Sequence, residues 1–169
     1  RFSRMIPDMT RDRVVWTIAA AALIVRITLA AAAVTTAGVE TLHAPDTSGY
    51  LEPASELLSD GTYTRAGKPE IVRTPGYSLL LIPGLMVDRV EGVTIFLQAM
   101  LAGLTVIAVY GLALELYPRR AAVAAAAIYA LEPLSVLYAS KLLSETLFTA
   151  CLTWALLLLT RLAGRRDDP

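Results

Sequence analysis

The sequence has 169 residues but only one cysteine, Cys151, and one histidine, His43. A single thiol cannot close an internal disulfide, which excludes a disulfide scaffold. Cys151 lies in an apolar block and reads as a small packing residue. The lone histidine supplies no metal cluster. Charge is scarce as well. Only 18% of residues are charged, and 15 basic residues balance 15 acidic ones, where about 25% charged is usual for soluble domains. No basic face invites nucleic acid. No internal repeat is visible, and the only biased tracts are alanine runs, which read as helix filler.

What the sequence does have is apolar residues in blocks. They make up 56% of the chain, above the roughly 45–50% of soluble domains, and the charges sit between the blocks. This excludes a disordered chain and a collagen-like repeat. It points to an all-α, polytopic transmembrane helical bundle.

Residues 14–39 form the first block, with one charge, Arg26. As a helix it would be about 39 Å long, enough to cross a bilayer with tilt. A signal peptide is the rival reading, but the block is too long for one and holds a mid-block arginine. Residues 40–90 form an outer loop, whose short apolar piece, 79–87, is interrupted by Pro83-Gly84 and cannot span. That piece reads as re-entrant, interfacial or the broken start of the next helix. Spans are expected at 91–116, 121–138 and 145–162, with Tyr117-Pro118-Arg119-Arg120 as a tight polar turn. Pro133 should end or kink the third of the four spans.

Placing the N-terminus in the cytoplasm puts nine of 15 basic residues inside and five outside, with Arg26 in the membrane. The inner ones lie close to span ends, where the positive-inside rule applies best. The expected location is the plasma or inner membrane. Tails 1–13 and 163–169 are then cytoplasmic, and the long loop faces the periplasm or cell-wall side. Ten of the 15 acids fall on that outer face. The chain begins at Arg1 rather than Met and ends on a polar tail after an apolar block, so it reads as a fragment of a longer protein.

Within the loop, Tyr50, Leu51, Ala54, Leu57 and Leu58 fall on one helical face. They describe a short amphipathic helix along the membrane surface, capped by Asp46, Thr47 or Ser48 and stopped at Gly61. Arg73-Thr74-Pro75-Gly76-Tyr77-Ser78 carries a turn signal before apolar residues. There Tyr77 suits an interfacial anchor, and Arg73 could meet an anionic headgroup. Ser144 can cap the last span, and Glu145 suits its N-terminus. Arg26 lies about 18 Å along its helix, too deep to snorkel easily. It is expected to be a structural intramembrane charge, paired with Glu132 or with a residue elsewhere in the protein. Gln98 should bond between helices.

The order of these pieces resembles the N-terminal part of the GT-C membrane glycosyltransferases, the ArnT and protein-O-mannosyltransferase type. The resemblance runs over about residues 14–162. It rests on an arginine in the first span, on Asp46, Tyr50 and Ala54 in Asp-x-x-x-Tyr-(x)₃-Ala, and on Gly61. It rests further on Arg73-Thr74-Pro75-Gly76-Tyr77, on the Arg-Arg turn, on an alanine-rich span ending at Pro133, and on Ser-Glu-x-Leu-Phe from Ser144 to Phe148. It implies transfer of a sugar from a polyprenyl-phosphate donor to an acceptor hydroxyl or amine on the outer face. The partners would be membrane lipid, the lipid-linked sugar, and a glycan, lipid or protein acceptor. Asp46 maps to the catalytic loop acid, and Glu145 to an acid lining the same cavity. Divalent-metal or acceptor binding is the alternative role for Asp46. Metal at Arg73 is disfavoured, because the side chain there differs in chemistry from that of the ArnT-type proteins. Arg73, Lys68 or Arg65, or else basic groups beyond residue 169, would meet the departing phosphate, with Tyr50 and Tyr77 as further substrate contacts. Such enzymes usually have more spans, so this chain alone is expected to be inactive. The competing readings are a non-catalytic membrane subunit and a fragment of a transporter.

Overall fold

The computed structural model describes residues 12–166. The outermost tail residues, 1–11 and 167–169, on which part of the charge count rests, lie outside it. Seven α-helices follow in order: α1 Arg13–Ala37, α2 Thr47–Asp60, α3 Pro75–Met86, α4 Val90–Leu116, α5 Arg119–Leu131, α6 Pro133–Ala139 and α7 Glu145–Arg166. A two-stranded antiparallel hairpin, β1 Thr64–Arg65 with β2 Lys68–Pro69, follows α2. Helices α1, α4 and α7 are long and apolar enough to cross a membrane. Helices α5 and α6 are long and apolar enough only as a pair, bent by 51° at their break, the form of a broken span or a re-entrant loop. The fold is an all-α polytopic bundle.

Helix α4 is the hub, packing against α1, α3, α5 and α7. Small residues make this possible. Ala19 and Ala22 of α1, Ala99, Ala102 and Ala108 of α4, and Ala122, Ala126 and Ala130 of α5 are all buried. In lipid there is little hydrophobic drive between helices, so close backbone approach through small residues carries the packing. The alanines of α5 are therefore not filler: spaced by four, they are its contact stripe. On α7, Leu152, Leu156, Leu158 and Leu159 are exposed, while Leu157 is buried against the bundle. The turn from α3 into α4 depends on Gly84, where a Cβ would lie 2.7 Å from the Val90 Cα.

The break between α5 and α6 follows from two residues. Pro133 has no N–H to continue α5. The Glu132 carboxylate then caps α6, accepting from the N–H of Leu134 at 3.0 Å and of Ser135 at 2.5 Å. The Leu134 N–H would otherwise bond the Ala130 carbonyl. Freed, that carbonyl accepts from Arg26 Nη1 at 3.0 Å. Arg26 Nη1 also donates to the Ala22 carbonyl at 3.0 Å, and Nη2 to Ser135 Oγ at 2.9 Å. Arg26 is 0% exposed. Its hydrogen-bond partners are thus a carbonyl and a hydroxyl of the helix break and a carbonyl of its own helix, while the expected acid, Glu132, is engaged as a cap.

At the end of the bundle where α1 starts, Asp12 caps that helix through the Val14 N–H at 3.1 Å. It also accepts from Arg119 at 2.7 and 2.9 Å and from the Tyr110 hydroxyl at 2.5 Å. The Arg119 guanidinium, then the Tyr110 hydroxyl, hold its carboxyl down at about 2. Arg161 and Glu115 join α7 to α4 at the same end, 3.0 Å apart and both largely buried.

Candidate functional site

The opposite end of the bundle is built by two loops that grip each other. The Leu142 N–H donates to the Leu42 carbonyl at 2.8 Å, and Thr47 Oγ1 donates to the Leu142 carbonyl at 2.9 Å. Thr47 Oγ1 also accepts from the Ala44 N–H at 2.8 Å. Lys141 Nζ donates to the Thr41 carbonyl. The start of α2 is thereby pinned beside the start of α7. Below them, Gln98 of α4 donates to the Ala139 and Lys141 carbonyls at 3.2 and 2.7 Å, the interhelical role expected of it. Gln98 Oε1 accepts from the Tyr77 hydroxyl at 2.5 Å. Tyr77 is 1% exposed, so it is a buried strut of the site and not an interfacial anchor.

Between these loops lies a cavity of about 430 Å³. Asp46, Tyr50, Arg73, Tyr77, Ser144 and Glu145 line its polar part, and Leu147, Phe148 and Cys151 its apolar part. Arg73 is the central group. Its Nη2 lies 2.5 Å from Asp46 Oδ1, its Nη1 donates to the Tyr50 hydroxyl at 3.3 Å, and its guanidinium carbon lies 5.0 Å from the Tyr50 ring centroid. The Tyr50 bond and then the Asp46 carboxylate raise the Arg73 pKa above its ordinary value, so it stays cationic. The Tyr50 hydroxyl also meets Ser144 Oγ at 2.9 Å, and its ring stands edge-on to Tyr77 at 4.9 Å. Arg73 is placed from behind by Glu70, whose carboxylate accepts from the N–H groups of Val72 and Arg73 at 2.6 and 3.0 Å. Gly49 leaves room for it, since a Cβ there would lie 3.3 Å from Arg73 Nε.

The structure therefore gathers Asp46, Tyr50, Arg73, Tyr77 and Glu145 around one cavity. Lys68 does not join them; it is exposed on β2. Arg65 pairs with Glu52 at 3.2 Å. Asp46 stands at the helix boundary, yet its side chain makes no cap bond; its carboxylate is turned to Arg73. Ser144, likewise read as a cap, faces Tyr50. Leu58, assigned to the apolar face of α2, is exposed, whereas Thr47 and Pro53 are buried. Cys151 is an exposed residue of the cavity wall and not packing. Sequence reasoning missed Glu70 and Tyr63. The signal for Glu70 was an acid three residues before Arg73. Tyr63, whose hydroxyl donates to the Arg73 carbonyl at 3.1 Å, gave none.

The residues present do not suit a metal ion. Among the described residues no three His, Cys, Asp or Glu side chains gather as a metal would need, and Arg73 takes up the Asp46 carboxylate.

A helical membrane bundle with a polar cavity between its loops and its spans is the class of protein these features define. Residues 73–168, more than half of the chain, match the family model described as dolichyl-phosphate-mannose-protein mannosyltransferase. The chain belongs to that family, a family of membrane glycosyltransferases of the GT-C type. The matched stretch contains Arg73, Tyr77 and Glu145, and begins after Asp46 and Tyr50. No curated protein and no solved structure matches the chain.

Proposed function

We propose that this cavity is the transfer site of a membrane enzyme of the cell envelope. The enzyme moves a sugar from a polyprenyl-phosphate donor to an acceptor hydroxyl or amine on the outer face. The observation that carries the reading is the pairing of acid and cation on one wall: Asp46 and Arg73 in contact, with Glu145 lining the same cavity. In the reaction the acceptor oxygen or nitrogen bonds to the anomeric carbon, and the bond from that carbon to the phosphate oxygen breaks. The acceptor's proton passes to Asp46, a general base positioned by its partner. The lipid phosphate leaves as an anion. Arg73 stabilises it, because a guanidinium has five N–H donors and only two are engaged on Asp46 and Tyr50. A phosphate that draws Arg73 toward itself also frees the Asp46 carboxylate to take a proton. Leu147, Phe148 and Cys151 give the same cavity an apolar wall for the lipid chain.

The reading requires the cavity to face outward and the N-terminus to lie in the cytoplasm, as the distribution of arginines favours. With Cys151 replaced by serine, a cysteine placed at Thr62, on the loop beside the site, is expected to react with an impermeant thiol reagent added outside intact cells. One placed at Asp167 is expected to react only after permeabilisation. The reverse pattern would put the site on the cytoplasmic face and end the proposal.

A further inference from the structure

Glu145 lines a second, much smaller cavity of about 30 Å³, together with Tyr129, Ser135, Tyr138, Thr146 and Thr149. Every one of these six residues carries a polar side-chain atom. Glu145 Oε2 is buried and has no hydrogen-bond partner among the described residues. A buried carboxylate oxygen without a partner is costly, and a space of this size with several polar walls suits about one ordered water.

The direction of the hydrogen bonds points the same way. Ser135 Oγ accepts from Arg26 Nη2 at 2.9 Å, so its own proton is left to donate elsewhere, and it lines the small cavity. An ionised carboxylate only accepts. A water donating to Glu145 and accepting from Ser135 completes a run of donors from Arg26 to the carboxylate. We infer that the small cavity is a water site that completes Glu145, and that Arg26, acting through Ser135, is a positioning residue for the transfer reaction. The inference rests on the reading of Glu145 as part of the transfer site. It gives the intramembrane arginine a task beyond bridging helices: it orders the far side of an acid in the site.

The test uses the intact protein in lipid nanodiscs and has two readouts. Infrared bands of Glu145 are isolated by subtracting the spectrum of Glu145→Gln. They are expected to shift in Ser135→Ala and to return in Ser135→Thr, which keeps the hydroxyl. In parallel, kcat for transfer from polyprenyl-phosphate mannose is expected to fall about tenfold in Ser135→Ala with KM for the donor unchanged. That is the rate equivalent of one hydrogen bond to a charged group. Glu145 bands identical in wild type and a folded Ser135→Ala would overturn the inference. Should Ser135→Ala not fold, Thr149→Val removes a hydroxyl from the cavity without touching Arg26, and the same comparison decides. A band shift in Ser135→Ala alongside a wild type that transfers no sugar would uphold the water site, but would sink the positioning role together with the proposed function.

Discussion

Asp46→Asn is expected to lower sugar transfer by roughly 10² to 10⁴-fold, the usual range for loss of a general base, while leaving the fold intact. The two expectations have separate grounds. Asparagine is nearly isosteric and caps helices about as well as aspartate. The structure shows that Asp46 makes no cap bond to begin with. What it does hold is Arg73, at the partly exposed rim of the cavity, where an ion pair contributes about 1 kcal/mol or less. Melting should therefore hardly move. The measurement is the rate of transfer from polyprenyl-phosphate mannose by equal amounts of the full-length wild type and variant, with melting curves recorded alongside. Near-normal turnover by the asparagine variant would reduce Asp46 to an anchor for Arg73 and leave the chemistry without its base.

The second large effect is expected at Arg26, and it should appear as stability. Arg26→Leu removes three hydrogen bonds at a residue that is 0% exposed. Replacing a buried ion pair by apolar side chains is often harmless, because both charges go. Here the partners remain: the Ala130 carbonyl and Ser135 Oγ keep their polarity and lose their donor. An orphaned buried acceptor costs about 1–3 kcal/mol. Arg26→Leu should thus lose about 2–5 kcal/mol, read as a lowered melting temperature in detergent. Arg26→Lys should recover part of it, since an ammonium can reach one acceptor but not fork to several. A leucine variant as stable as wild type would show that the helix break does not depend on the arginine.

The three long apolar helices were legible in the sequence because length and apolarity alone announce them; α3 was not, since Pro83-Gly84, expected to interrupt it, lies within a continuous helix. The bend at Pro133 was legible because proline removes a backbone donor. What could not be read was the partner of Arg26. Charge complementarity suggests an acid such as Glu132, but Glu132 is drawn to the amides that follow Pro133. The carbonyl left over by that choice is visible only in three dimensions. Tyr77 misled for a related reason. An aromatic after Pro-Gly at a membrane boundary usually sits at the interface, and only the approach of Gln98 from α4 shows why this one is buried. The gathering of Asp46, Arg73 and Glu145 depends on the loop around Leu42 gripping the loop around Leu142, a pairing in which Thr47 and Lys141 bond only backbone atoms of the other loop, so no residue type marks their partners. The hairpin β1–β2, with positive φ at Ala66 and Gly67, was also unread, its strands being too short for a pattern.

The central claim is that one cavity holds the lipid phosphate beside Arg73 and the lipid chain along α7. Cys151 reports on it directly, as an exposed thiol in the apolar wall of that cavity. The measurement is the rate of Cys151 alkylation by a small maleimide in the intact protein, with and without polyprenyl phosphate. Occupancy should slow labelling in the wild type, and Arg73→Gln should need far more lipid phosphate for the same protection. Alkylation of wild type at an unchanged rate, at lipid phosphate concentrations that inhibit transfer, would place the donor elsewhere and contradict the account.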